Sequence, residues 1–318
     1  MIRGLKFYMP RFWQIIANSL FVLLLASCDE RQLTNSADGK FYISHNNKDA
    51  LYFKIDNHPV KLVQGEIKQV DLASGKHTIE YPIGEKTEFI IYPGNQGGII
   101  NPTQQYYYAY SSVFKEIISN QLLSLKYNQI VVEGIKVKGP ILSSNALLID
   151  NNVFKCDYPI GASFLNVLAL NKSKQSYSHV ETKCFTKEEF IDFLSVVGSK
   201  VNNIQIVDKG LNEQNTVTHS FEYALPIAHF NNYSLQSYAN KIVEIVDNFK
   251  NISNVESKAQ LYEEYYQYLY NMAKVYSTFH LGQNKHDRDE YSAFINQTNM
   301  IFNAGILKRR PANTYKAH

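Results

Sequence analysis

The sequence predicts an α+β protein in which antiparallel, β-sandwich-like modules precede a C-terminal α-helical unit. Residues 40–92 contain short β-rich runs separated by turn signals, a spacing typical of a small sandwich. From residue 227 onward, apolar side chains recur at helical spacings of three and four. With 45% hydrophobic and 19% charged residues, the composition excludes a wholly disordered or collagen-like chain.

The N-terminus has the layout of a secretory signal. Residues 1–14 are basic and aromatic, residues 15–25 are apolar, and small residues follow. The apolar stretch is shorter than the roughly 20 residues of a membrane-spanning helix, which makes a permanent transmembrane anchor the weaker interpretation. We therefore predict a signal peptide over residues 1–27 and a polar tether over residues 28–39.

The run Leu25-Ala26-Ser27-Cys28 resembles the lipobox of bacterial lipoproteins. The resemblance implies that Cys28 becomes the first mature residue and carries a lipid built from acyl chains such as palmitate, a stable membrane anchor. Asp29 resembles the retention signal of enteric lipoproteins, which implies the periplasmic face of the inner membrane rather than the outer membrane. The alternative is an ordinary signal peptide with a chance cysteine.

The numbers of basic and acidic residues limit the class of partner that the chain can bind. Without residues 1–27, 29 basic residues face 29 acidic ones. Nucleic-acid affinity rests on surplus Lys and Arg, so we expect no nucleic-acid partner. The expected partners are the membrane, through the lipid, and an envelope protein, with a glycan as the alternative.

The cysteines fit an oxidising compartment. The chain has 3 Cys, and assigning Cys28 to the lipid leaves Cys156 and Cys184 as a pair. We predict a disulfide between them, which would stabilise the fold by roughly 3 kcal/mol through loop closure. The alternatives are two buried free thiols or, less favoured because no close Cys or His spacing accompanies them, a zinc site.

The first β-sandwich-like module is predicted over residues 40–103. Within it, residues 53–81 (FKIDNHPVKLVQGEIKQVDLASGKHTIEY) resemble the PEGA-type β-module of bacterial surface proteins, which implies a fold and no activity. The paired glycines of residues 97–103 allow unusual backbone angles and favour a structural corner over a phosphate-binding loop, which would need Gly-Lys-Ser/Thr.

Residues 104–226 are predicted as a mixed, mainly β module with one helix. Strands are expected at residues 130–137, 146–150 and 164–170, and residues 204–207 are expected to pair with residues 217–223. The helix is expected over residues 187–197, with Thr186 and Glu189 forming a capping box.

Residues 227–318 are predicted as the helical unit because three apolar stripes have helical spacing. The stripes are Leu235, Tyr238, Ile242, Ile245 and Phe249; then Leu261, Tyr265, Leu269, Met272, Tyr276 and Phe279; then Tyr291, Phe294, Thr298 and Ile301. Short connections between them predict antiparallel neighbours.

Side chains that carry chemistry do not assemble into a known motif. His280, His286, Asp287, Asp289 and Glu290 lie in a helix connection without the His spacing of zinc peptidases, and we interpret them as a solvated loop. Glu263 and Glu264 are adjacent on a helix and point in different directions. A Gly-x-Ser-x-Gly elbow is absent from the sequence. We expect no cofactor, no metal and no catalytic residue.

Three functions remain open. The first is a non-catalytic lipoprotein that binds an envelope protein, supported by the anchor and the change in composition along the chain. The second is a cell-wall glycan-binding lipoprotein, supported by tyrosine richness, including Tyr106, Tyr107, Tyr108 and Tyr110, whose flat rings suit sugar stacking. The third, less favoured, is an envelope hydrolase whose site is assembled from residues distant in sequence.

Overall fold

The computed structural model describes residues 39–114, 127–164, 179–197, 204–209, 218–252, 257–279 and 285–309. Within them the predicted α+β class is confirmed: mainly antiparallel sheets fill the N-terminal part and long helices the C-terminal part. Cys28 and Asp29 lie outside the described residues. In this described part, no helix combines the length and the apolar character needed to cross a bilayer.

Six strands follow one another within residues 40–92, where the sequence predicts short β-rich runs. They are β1 (Lys40–His45), β2 (Leu51–Ile55), β3 (His58–Leu62), β4 (Glu66–Asp71), β5 (Gly75–Glu80) and β6 (Lys86–Ile91). The β2–β3 hairpin turns at Asp56 and Asn57, whose φ angles of 49° and 66° match the positive values of a two-residue hairpin turn.

Nine further strands complete the sheets. They are β7 (Gly98–Ile100), β8 (Tyr107–Phe114), β9 (Asn128–Val132), β10 (Ile135–Gly139), β11 (Ile141–Ser144), β12 (Leu148–Asp150), β13 (His179–Phe185), β14 (Gln205–Lys209) and β15 (Ile306–Lys308). One sheet has the order β12-β7-β1-β4 and a second has the order β15-β6-β5-β2-β3. Side chains of both, such as Phe41 and Phe89, share one apolar core, so the two sheets form a sandwich. The two smaller sheets have the orders β14-β10-β9 and β11-β8-β13.

Strand β7 corrects part of the predicted corner over residues 97–103, whereas the chain turns after it, where the N–H of Gln104 donates to the carbonyl oxygen of Asn101 (3.1 Å). It pairs parallel with β1 and antiparallel with β12. A Cβ atom at Gly98 would lie 2.2 Å from the carbonyl oxygen of Ile149, so the close approach of β7 and β12 requires glycine. The two glycines therefore serve different needs: Gly97 takes a positive φ of 71° just before β7, and Gly98 allows the close approach of two strands.

Two further strand predictions were wrong. Residues 130–137 form the hairpin β9–β10 rather than one strand, because the chain turns at Glu133 and Gly134, whose φ angles are 48° and 75°. β14 pairs with β10, and the described residues 218–223 form no strand beside it. From residue 218 to residue 230 the chain instead runs without a regular strand, and we call these residues the strap. The strand predicted at residues 164–170 lies almost wholly outside the described residues.

Five helices are described: α1 (Asn151–Phe154), α2 (Lys187–Val197), α3 (Tyr233–Asn251), α4 (Ser257–Phe279) and α5 (Lys285–Phe302). The predicted capping box begins α2. The backbone N–H of Glu189 donates to Thr186 Oγ1 (3.3 Å), and the backbone N–H of Thr186 donates to Glu189 Oε2 (2.9 Å).

The three predicted apolar stripes face one another in the core of the helical part. Leu235, Tyr265 and Phe294 represent them and are almost fully buried; the side chain of Phe279 lies outside the description. This core continues into the sheet through Tyr92, whose hydroxyl donates to the carbonyl oxygen of Phe249 (3.0 Å) while the two rings stack. Helices and sandwich are therefore packed together.

Two sheets cross the predicted module boundaries. Strands from either side of residue 103, β7 and β12, lie in one sheet. Strand β15, in the predicted helical unit, pairs with β6. The boundaries at residues 103 and 226 stay predictions about which parts fold independently.

Candidate functional site

Cys156 and Cys184 lie at disulfide-bonding distance, with Cα atoms 5.5 Å apart. Cys184 is fully buried on β13. Its backbone N–H donates to the carbonyl oxygen of Tyr158 (2.9 Å), so the segment after Cys156 runs beside that strand. This arrangement indicates a structural role for the pair.

We predict that Cys156 and Cys184 are bridged in the protein isolated without a reducing agent. Neither should react with a thiol-labelling reagent in the unreduced, denatured protein, and both should react after reduction. Replacing both by serine should lower the free energy of unfolding by about 3 kcal/mol, because the open chain gains loop entropy. Labelling of both thiols without reduction would contradict the bridge.

A buried carboxylate joins the sandwich to the C-terminal segment. Asp150 is 1% exposed, and its Oδ1 accepts the N–H of Asn152 (2.9 Å), which caps α1. Its Oδ2 accepts the N–H groups of Gly305 (2.7 Å) and Ile306 (3.3 Å). Burial raises the pKa of Asp150 to about 6, against the opposing effects of these donors and of the Lys258 charge. We call these contacts the Asp150 junction.

Burial also lowers the pKa of two lysines to about 8. Lys183 is 2% exposed, and its ammonium donates to the carbonyl oxygens of Pro159 (2.7 Å) and Cys184 (2.5 Å). Lys258 lies over the ring of Tyr92, 4.5 Å from its centroid. Both ammonium groups therefore have structural neighbours, and we assign neither to catalysis.

The acidic and histidine residues at the start of α5 hold the strap. His229 donates its N–H to Glu290 (3.1 Å), and its carbonyl oxygen contacts His286 Nε2 (2.9 Å). Asp287, 4% exposed, accepts the N–H of Asn231 (2.9 Å). These contacts correct the interpretation of a solvated loop. His280 lies outside the described residues.

The tyrosine run on β8 does not form a sugar-binding surface. Tyr107, Tyr108 and Tyr110 are at most 3% exposed, and only Tyr106 of the four is open to solvent. The rings fill the core, because β8 is the central strand of its sheet. The buried tyrosines of β8 therefore no longer support the glycan-binding hypothesis.

A different set of tyrosines is exposed on α4. Tyr262, Tyr266 and Tyr270 are 36%, 41% and 62% exposed. They recur every fourth residue, and Lys274 continues the series with its ammonium 4.7 Å from the ring centroid of Tyr270. We call these four residues the tyrosine ladder. It runs about 18 Å along the helix, at about 1.5 Å per residue.

The ladder is an aromatic surface without charge apart from Lys274. The hydroxyl of Tyr262 donates to that of Tyr266 (3.1 Å), and their ring centroids lie 4.6 Å apart. This hydrogen bond and partial burial raise the pKa of Tyr266 to about 12, so its hydroxyl stays protonated at neutral pH. Such rings offer apolar area with a polar tip, the combination enriched at protein interfaces.

The sequence contained a signal for the ladder, although none of the three predicted apolar stripes includes its residues. Tyr266 follows Tyr265 of the core stripe, which places the ladder about 100° around the helix from that stripe. One apolar stripe is enough to pack a helix against the core. The second stripe, formed by the ladder tyrosines, therefore leaves aromatic rings exposed to solvent.

Comparison with known protein families, curated proteins and solved structures found no match to this chain. Among the residues that the structure describes, no group of three or more His, Cys, Asp or Glu side chains could hold a metal ion. The function must therefore be argued from the surfaces of this chain alone.

Proposed function

We propose that this chain is a non-catalytic lipoprotein of the bacterial cell envelope that binds an envelope protein through the tyrosine ladder. The lipobox-like run before Cys28 supports lipid anchoring, and Asp29 supports the periplasmic face of the inner membrane. The polar residues 28–39 would act as the tether between the lipid and the folded part.

The ladder is the observation that carries the proposal. Tyrosine supplies large contact area with little side-chain entropy to lose, and it is enriched among residues that dominate binding energy. The ladder has a rigid base, because the ring of Tyr262 lies 6.2 Å from that of the buried Phe302, and the neighbouring Tyr265 stacks on Phe302 at 4.0 Å. A pre-ordered aromatic row lowers the cost of binding.

The Tyr270→Ala substitution is expected to weaken binding of the partner about 30-fold. Loss of a central tyrosine at an interface costs about 2 kcal/mol, and Tyr270 is the most exposed rung of the ladder. Because its ring contacts Lys274 at the surface, the fold should tolerate the change. Affinity is measured by titrating the captured partner against wild type and variant.

The matched control is Tyr52→Ala on β2. Tyr52 is 52% exposed and also has a lysine over its ring, Lys61 at 5.4 Å, but it lies on the sandwich. Its substitution should leave the affinity unchanged. Equal losses for both variants would contradict a binding surface confined to the ladder.

The partner is first identified by crosslinking in living cells. A photoreactive amino acid at position 270 should capture one dominant envelope protein, whereas the same amino acid at position 52 should not. If position 270 captures no protein and the purified chain sediments with peptidoglycan, the ladder binds glycan and the protein-partner proposal is wrong.

A further inference from the structure

A pocket of about 330 Å³ is lined by β12 and β15, one strand from each sandwich sheet, and by the strap. Its wall includes Leu148 of β12, Ile306 and Lys308 of β15, and His219 and Glu222 of the strap. Its volume lies at the lower end of the range for small-ligand sites. Among the described residues, β12 and β15 are the outermost strands of their sheets, so each has one edge that no described strand pairs with.

The register of β12 determines where its free backbone groups point. The N–H of Asn101 donates to the carbonyl oxygen of Leu147 (2.7 Å), and the N–H of Asn151 donates to that of Gly97 (3.1 Å). In an antiparallel pair, alternate residues bond the neighbouring strand. Leu148 lies between these bonded positions, so its N–H and carbonyl point away from β7.

The register of β15 likewise determines which of its backbone groups point away from β6. The backbones of Gly305 and Arg309 hydrogen-bond with β6 (2.9 and 2.8 Å), so the N–H and carbonyl groups of Ile306 and Lys308 point away from β6. The N–H of Ile306 is used by Asp150, which bridges the two strand edges at one end of the gap. Lys308 lies at the other end of β15 and lines the pocket.

We propose that this pocket binds an extended peptide segment, which adds as a short strand to the free edges of β12 and β15. The backbone groups of Leu148 and Lys308 supply donors and acceptors at strand spacing, the chemistry by which sheet edges capture extended peptides. Phe221 is 6% exposed and offers no open ring face for sugar stacking. This site is separate from the tyrosine ladder and does not depend on it.

The charges at the pocket favour an uncharged segment. Lys308 and Glu222 form an ion pair of 2.9 Å, with 41% and 69% of their side chains exposed. Because each neutralises the other, a peptide's side chains meet no net charge there. Recognition then rests on the peptide backbone, with β-branched side chains favouring its extended form.

The test uses hydrogen exchange of the purified lipidated protein in detergent. The probe is a blocked tetrapeptide of alternating valine and threonine, and the control is the same peptide with N-methylated backbone amides. At ten times its Kd the probe should slow exchange of the Leu148 and Lys308 amides about tenfold, as occupancy of the bound state predicts. The N-methylated peptide should give no protection, because it cannot pair as a strand.

A pair of variants separates backbone from side-chain recognition. Lys308→Pro removes an N–H that is not bonded to β6, so the strand should persist while protection of Leu148 is lost. Lys308→Ala keeps that N–H and should retain protection. Equal protection by both peptides, protection by an N-acetylglucosamine oligomer instead, or no protection of the wild-type protein up to the solubility limit of the probe would overturn the proposal.

Discussion

Asp150→Ala is expected to lower the free energy of unfolding by about 3 kcal/mol at pH 7. The substitution leaves three backbone N–H groups without their acceptor, and each such loss costs about 1 kcal/mol. Two of these groups, on Gly305 and Ile306, fix the segment that leads into β15. Urea denaturation of the purified protein measures the change.

The control for this variant is Asp247→Ala, an acid on α3 in the helical part, whose side chain accepts from Asn251. Its loss should cost well under 1 kcal/mol, because the hydrogen bond is exposed. A similarly small effect of Asp150→Ala would mean that the Asp150 junction does not hold the C-terminal segment in place.

The Asp150 junction is also expected to make the free energy of unfolding depend on pH. Because the pKa of Asp150 is raised in the folded state to about 6, folding favours the protonated carboxyl. This contribution adds to that of the hydrogen bonds; it is fully present below about pH 4 and is lost as the pH rises through 6. The facing groups, Lys258 and Tyr223, titrate above this window, with a lysine pKa of about 8 and a tyrosine pKa raised by burial. Between pH 5 and pH 7, the wild-type protein should therefore lose about 1 kcal/mol relative to Asp150→Asn. A difference between the two proteins that stays constant with pH would contradict the raised pKa.

Cys28→Ala is expected to abolish membrane anchoring. The lipobox resemblance makes the Cys28 thiol the lipid attachment point, and the acyl chains supply about 0.8 kcal/mol per buried methylene. Without them the protein should accumulate unprocessed or appear in the soluble envelope fraction. Fractionation and acyl-chain labelling with a clickable fatty acid measure both outcomes.

Two companion variants make this test specific. Cys184→Ser alters another cysteine and should leave acyl labelling intact. Asp29→Ser should keep the lipid but shift the protein towards the outer membrane fraction, if the retention signal acts here as in enteric lipoproteins. Recovery of a mature, acylated Cys28→Ala protein would show that the lipobox interpretation is wrong.

Local patterns predicted the elements whose stabilising contacts are close in sequence. The six strands of residues 40–92 and the capping box of Thr186 and Glu189 are of this kind. The same holds for the stripes of α3, α4 and α5, because a helix buries residues at a fixed spacing.

The errors fell where distant contacts decide the structure. Gly98 lies in a strand because that segment pairs with β1 and β12, and the local sequence reveals neither partner. The turn at Glu133 was missed because glutamate is an uncommon residue at positive φ. The Asp150 junction joins groups separated by 155 positions, so no spacing rule could have indicated it.

For the exported lipoprotein that we propose, the pairing of β15 with β6 also has a consequence during passage through the membrane. Strand β6 emerges from a translocation channel early, but its edge stays open until residues 306–308 have followed. An open strand edge invites pairing with other chains, so a partly exported molecule is most prone to aggregation while it waits. A periplasmic chaperone that covers strand edges would therefore matter most in this interval, because the sheet of β2, β3, β5 and β6 is closed only by the last described strand of the chain.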